Sequence, residues 1–158
     1  MYISPSRGKL NITEVYWDIV NYIMDASSDK YNLIIGTDSH NLNETSCFVT
    51  AIIVHREGKG ARYFYTRTYE NNIHSMRHRI FYETSLSVEV AGDLFQKLKH
   101  SRIKDEHLNL EIHLDVGEKG ETKELIREVV GMVMGSGFSP KIKPDSYGAS
   151  KVADKYTK

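Results

Sequence analysis

The chain of 158 residues has one cysteine, Cys47, only three prolines, and no excess charge, with 21 Lys+Arg against 21 Asp+Glu. A single cysteine excludes an intrachain disulfide and any multi-cysteine zinc cage. Apolar runs of a few residues exclude a bilayer-spanning helix, which needs about 20. The opening Met1-Tyr2-Ile3-Ser4-Pro5 lacks the basic-then-apolar layout of a secretory signal, so a cytoplasmic protein without membrane contact is expected. Gly131, Gly135 and Gly137 do not follow a strand-like run, which excludes the dinucleotide fingerprint. The segment 117–123 lacks the Gly-Lys-Ser/Thr ending of a phosphate loop and reads as a turn into a helix. Internal repeats and low-complexity stretches are absent. At this length one domain over 1–158 is expected, burying about two-thirds of its extended surface without a staple.

What is present is patterned. Charge is uneven: 55–104 is rich in Lys and Arg, 105–137 in Asp and Glu, and the tail from 138 is basic again. Residues 11–25 predict an amphipathic helix, with Ile12, Val15, Tyr16, Ile19, Val20 and Ile23 on one face and Asn11 and Glu14 placed as a capping box. Asp18 and Asp25 lie off that stripe and read as solvated. Three strand-like runs follow, at 31–38, 47–54 and 62–69, with links too short for parallel crossovers, which makes an antiparallel meander. A helix over 75–98 is expected to bury Ile80, Thr84, Val88, Ala91, Phe95 and Leu98. Strict alternation over 108–116 predicts a strand, 121–134 a helix, 138–143 a short strand and 146–156 a last helix.

Strands separated by helices imply right-handed crossovers to parallel neighbours. The expected fold is therefore α/β: a five-stranded mixed sheet in the order 3-2-1-4-5, helices on both faces, and an added N-terminal helix over 11–25.

In that sheet Asp38 ends the central strand and Asp115 ends its parallel neighbour, so both emerge at the carboxyl edge where open α/β sheets bind ligands. Neighbouring strands are ~4.8 Å apart, so the two carboxylates are able to share a cation. Glu83, near the start of the crossover helix, is placed to point over the same edge. Glu89 lies roughly 240° around the helix from it and does not share that site. Asp145 and Asp154 bring a fourth acid from the end of the chain. An all-oxygen set of this kind suits Mg²⁺ or Mn²⁺ rather than zinc. His74 and His78, spaced i,i+4, lack a third nitrogen or sulfur ligand and read as surface histidines.

The strings IIGTDSH around Asp38, FYETSLSVEVA around Glu83, LEIHLDVG around Asp115 and the closing PDSYGASKVADKYTK, with the expected strand order, resemble the ribonuclease H-like superfamily and, more narrowly, the YkuK family. The resemblance runs from IIGTDSH to the C-terminus. It implies a two-metal nucleic-acid hydrolase fold with catalytic and metal-holding carboxylates at Asp38, Glu83, Asp115 and Asp154, with Asp145 as the alternative fourth acid.

For a nuclease, Ser39, His40 and His113 flank the acids and are placed to orient water or phosphate. Arg77, Arg79, Lys141, Lys143 and Lys151 are the candidates for nucleic-acid phosphate contacts. The competing expectation is a noncatalytic module that binds nucleic acid or a protein partner on the same fold.

Overall fold

Asn11 starts the first helix by reciprocal capping. Its side chain accepts the Glu14 N–H at 2.8 Å while Glu14 Oε1 accepts the Asn11 N–H at 3.0 Å. The computed structural model describes residues 1–103, 107–146, 148, 152 and 156. Two short strands, β1 (Tyr2–Ser4) and β2 (Gly8–Leu10), precede helix α1 (Ile12–Met24). Three long strands follow, β3 (Tyr31–Leu42), β4 (Thr45–Arg56) and β5 (Gly60–Asn71), then helix α2 (Met76–Leu98) and strand β6 (Leu108–Gly117). A 3₁₀ turn over Glu121–Leu125, helix α3 (Ile126–Gly135) and strand β7 (Ser139–Lys143) complete the described elements. The expected single helix over 121–134 is thus divided. Gly120 precedes it at a φ of 98° with no capping side chain, and the first turn tightens to 3₁₀.

The sheet has seven strands in the order β2-β1-β5-β4-β3-β6-β7, not five. The five expected strands keep their mutual neighbours as β5-β4-β3-β6-β7, with β3–β4 and β4–β5 antiparallel and β3–β6 and β6–β7 parallel. The full order differs because residues 2–10, too short and mixed to show a period, form a hairpin that docks on β5 through Ile3 opposite Tyr65. The expected last helix over 146–156 falls mostly outside the described residues.

Strand period then divides the molecule into two faces. Tyr31, Leu33 and Ile35 of β3, with Ile52 and Val54 of β4 and Ile112, Leu114 and Val116 of β6, join buried residues of α1, α2 and α3 in one core. Helices α1, α2 and α3 therefore share one face, and the helix expected for the other, over 146–156, falls mostly outside the described residues. The opposite face carries a smaller cluster of Cys47, Val49 and Tyr65, and Tyr156 stacks on Tyr65 with ring centroids 3.8 Å apart. Cys47 is buried packing there.

Two expectations about helix faces need correction. Along α2 the buried positions are Ile80, Glu83, Thr84, Ser87, Val90, Ala91, Leu94 and Leu98, while Phe95 is 47% exposed and Val88 only partly covered. The stripe is polar near the carboxyl edge of the sheet because it meets hydroxyls there: Thr37 Oγ1 lies 2.7 Å from Ser87 Oγ and 2.9 Å from Thr50 Oγ1. Asp18 is buried rather than solvated, held by Arg7 Nη1 at 3.0 Å and Arg62 Nε at 2.8 Å. Those arginines come from the β1–β2 turn and from β5, so the carboxylate ties α1 to the added edge of the sheet. Asp25 is exposed, as expected.

Candidate metal centre

Chain direction, period and crossover bring the central acids together. Asp38 lies opposite Val49 in the β3–β4 register, which places it on the face away from the helices, and Asp115 alternates with the core residues Leu114 and Val116 on β6. Glu83 reaches the same edge from α2. The Thr37–Ser87 hydrogen bond pins that helix to β3 one turn after Glu83. Asp38, Glu83 and Asp115 each offer a carboxylate oxygen, and the three oxygens lie within 4.8 Å of one another.

Glu83 is the most buried of the three. It is only 3% exposed, Ser39 Oγ donates to its Oε2 at 2.5 Å, and its Oε1 meets no hydrogen-bond partner among the described residues. Burial and the neighbouring Asp115 and Asp38 charges push its pKa well above the ordinary carboxylate value, against the opposing pull of the Ser39 hydroxyl and Arg79. A buried acceptor left without a donor is costly, and a cation at the cluster would satisfy it. The donor set is hard oxygen throughout, which fits Mg²⁺ or Mn²⁺.

The residues around the acids divide. Ser39 takes part directly, its N–H donating to Asp38 Oδ1 at 2.9 Å and its hydroxyl to Glu83. His40 is exposed on β3. His113 is buried, with Nε2 2.9 Å from Glu111 Oε1 on its own strand, and lies under Gly148 at the face that carries Asp38 and Asp115. For the fourth acid, Asp145 sits exposed in the turn after β7, its N–H donating to the Ile142 carbonyl, and Asp154 lies outside the described residues.

The basic residues are equally mixed. Lys141 is exposed on β7 and Arg79 half-buried on α2, whereas Arg77 forms a two-pronged pair with Glu128 of α3, its Nη2 at 2.7 Å. Lys151 lies outside the described residues. Lys143 does not stand free as a phosphate contact: its Nζ is 2.6 Å from Asp115 Oδ1, with the two side chains 52% and 21% exposed. A pair this open to solvent adds at most about 1 kcal/mol to folding. The sequence holds one signal for it. Gly117 is opposite Lys143 in the parallel β6–β7 pairing, and a Cβ there would stand 3.0 Å from the Lys143 Cβ. A side chain at 117 would have to press the lysine stem aside.

The ribonuclease H-like profile matches residues 14–158, which takes in both strand acids, Glu83 and both tail acids. The chain belongs to the ribonuclease H-like family. Within it, the chain is 34% identical over 167 residues to the uncharacterized protein YkuK of Bacillus subtilis (strain 168), covering 100% of this chain and 97% of that protein. No solved structure matches the chain significantly. The ribonuclease H-like sheet here is the mixed one described above, extended by the N-terminal hairpin, and among the described residues no helix is long and apolar enough to cross a membrane.

Proposed function

We propose that this ribonuclease H-like protein is a divalent-metal-dependent nuclease that hydrolyses phosphodiester bonds of nucleic acid. The observation that carries the reading is the convergence of Asp38, Glu83 and Asp115 oxygens within 4.8 Å, with a buried Glu83 oxygen left unpartnered among the described residues. Asp38, Glu83 and Asp115 would hold Mg²⁺ or Mn²⁺, with Asp154, or else Asp145, as the fourth acid. In a two-ion scheme the bound metals supply a lowered pKa for the attacking water and positive charge for the leaving oxygen. The chain's own part is to hold those oxygens in place. Ser39 fixes the Glu83 carboxylate through its hydroxyl and Asp38 through its backbone N–H, while the Thr37–Ser87 contact sets the helix depth. Lys141, Arg79 and Lys151 are assigned to the phosphate backbone of the substrate.

A noncatalytic binding module is the second reading, favoured by the Lys143–Asp115 pair, which already neutralises one of the acids. One experiment separates the two. RNA, RNA–DNA hybrid, single-stranded and branched DNA are incubated with Mn²⁺ and either the native protein or Asp38→Asn. Cleavage of any substrate that the variant lacks supports the nuclease. Binding that survives Asp38→Asn, with no cleavage by either protein, supports the module.

A further inference from the structure

On the sheet face away from the helices, the strand registers set residues in rows. Asp38 of β3 lies beside Val49 of β4, which lies beside Arg67 of β5. In the next row His40, Cys47 and Tyr69 follow one another in the same way, and beyond them Leu42, Thr45 and Asn71. Strands β3 and β5 run on past Asp38 to Leu42 and Asn71, so the sheet extends beyond the carboxylates as a ledge.

The tyrosines of β5 divide along that face. Tyr65 stacks under Tyr156 with ring centroids 3.8 Å apart, and the Tyr63 and Tyr156 hydroxyls are hydrogen-bonded at 2.8 Å. Tyr69 has no such cover. It is 58% exposed and makes no hydrogen bond or ring contact among the described residues. Leu42 is 45% exposed, and His40 and Arg67 are exposed beside it on the ledge. Arg67 donates Nε to the Tyr156 carbonyl at 2.9 Å, which anchors its guanidinium in the row of Asp38.

We propose that Tyr69 stacks on a base of a single-stranded stretch of nucleic acid lying across this ledge, with Arg67 and His40 as polar contacts to the same strand. The inference rests on the nuclease reading above and names its substrate class. Tyr69 stands two strand spacings across and one two-residue step along from Asp38, roughly 12 Å, so a strand with a phosphate at the carboxylates reaches the ring within a few nucleotides. A paired duplex keeps its base faces on one another, whereas an unpaired stretch offers them to an aromatic ring. The composition of the ledge favours this occupant over a protein. Its exposed apolar members among the described residues are Leu42 and Tyr69, set amid imidazole, amide and guanidinium groups, while the core of a protein interface is contiguous, apolar and poor in charge.

The test measures binding of short homopolymer single strands, DNA and RNA, and of a blunt DNA duplex of equal length, by fluorescence anisotropy. Full-length Asp38→Asn protein in Mg²⁺ is used so that no strand is cut. Single strands should bind more tightly than the duplex. Adding Tyr69→Ala should weaken single-strand binding roughly tenfold or more and leave duplex binding unchanged, while Tyr69→Phe, which keeps the ring, should bind as before. Trp17, on the opposite face in α1, is the only tryptophan, so Tyr69→Trp with Trp17→Phe puts a single reporter on the ledge. Its emission should be quenched by single strands and not by the duplex. Equal binding by the alanine variant, or single-strand binding without quenching, overturns the proposal and leaves the nuclease reading standing. A dimer seen in sedimentation that Tyr69→Ala dissolves gives the ledge to a second copy of the chain and overturns it too. Failure of every nucleic acid to bind, with no Mn²⁺-dependent cleavage by the native protein, removes the nuclease reading and the proposal with it.

Discussion

Ser39 and Glu83, 44 positions apart in the chain, are joined by a hydroxyl-to-carboxylate hydrogen bond at the carboxyl edge of the sheet. That bond satisfies one oxygen of a carboxyl whose other oxygen is buried without a donor among the described residues. A carboxyl held well above its usual value near 4.5 keeps a proton in the folded chain that the unfolded chain has released. The folded state is therefore favoured least above the raised value: stability falls as pH climbs from the ordinary range through the raised one. Glu83→Gln removes that dependence. In metal-free buffer the variant should melt about 2–4 °C higher than the native protein near pH 8, the shift that ~1 kcal/mol produces at this size, and the gap should close toward about pH 4. Parallel calorimetric melts across that range check the sign. A gap of the same size at every pH would contradict it.

Asp38→Asn should remove Mn²⁺-dependent cleavage by more than the roughly 100-fold that loss of an outer partner of a metal ligand costs. Its fold should persist, because Asn fills the same volume within β3. Gel-based cleavage and near-ultraviolet circular dichroism measure the two halves separately. Loss of the native dichroism signal would assign Asp38 to folding instead.

Asp18→Ala takes the shared anion from Arg7 and Arg62. Both arginines are partly open to water, 50% and 35% exposed, while the carboxylate is not. The expected loss is about 1–3 kcal/mol, in the range of hydrogen bonds to charged groups rather than of a fully buried pair. Urea unfolding gives the figure. Arg7→Ala alone should cost less, since Arg62 remains.

Gly117→Val places branched carbon where the Lys143 stem passes. Overpacking of this kind costs about 1–3 kcal/mol, and the lysine must withdraw from Asp115. Urea denaturation should show the loss. A valine variant as stable as the native protein would show that β7 yields without strain.

Much of this was legible before any coordinates. The β-branched runs, their short links and the strict alternation of 108–116 define the central strands and carry Asp38 and Asp115 to one edge. Glu83 was legible as the acid of the crossover helix that points over that edge. The N-terminal hairpin was not, because three-residue strands are too short to display a period and are held by Ile3 against Tyr65 and by side chains of distant residues. Asp18 misled because polarity decides exposure only when no partner waits inside, and here two arginines receive the aspartate; Phe95 misled because its neighbour Leu94 takes the buried turn of α2. Lys143 was legible as a cation near the site but not as a partner of Asp115, because a register between parallel strands is not written in either strand alone.

The hairpin at the start of the chain has a bearing on solubility. Strand β5 is twelve residues long, and on the side away from β4 it pairs, among the described residues, only with three-residue β1. Were residues 1–10 removed, the stretch around Tyr65 would lie bare as well, lengthening the row of backbone donors and acceptors on which a second molecule adds its own strand. With the hairpin in place, the outermost strand on that side is β2, a stub of three residues bearing Lys9, too short and too charged to recruit another chain.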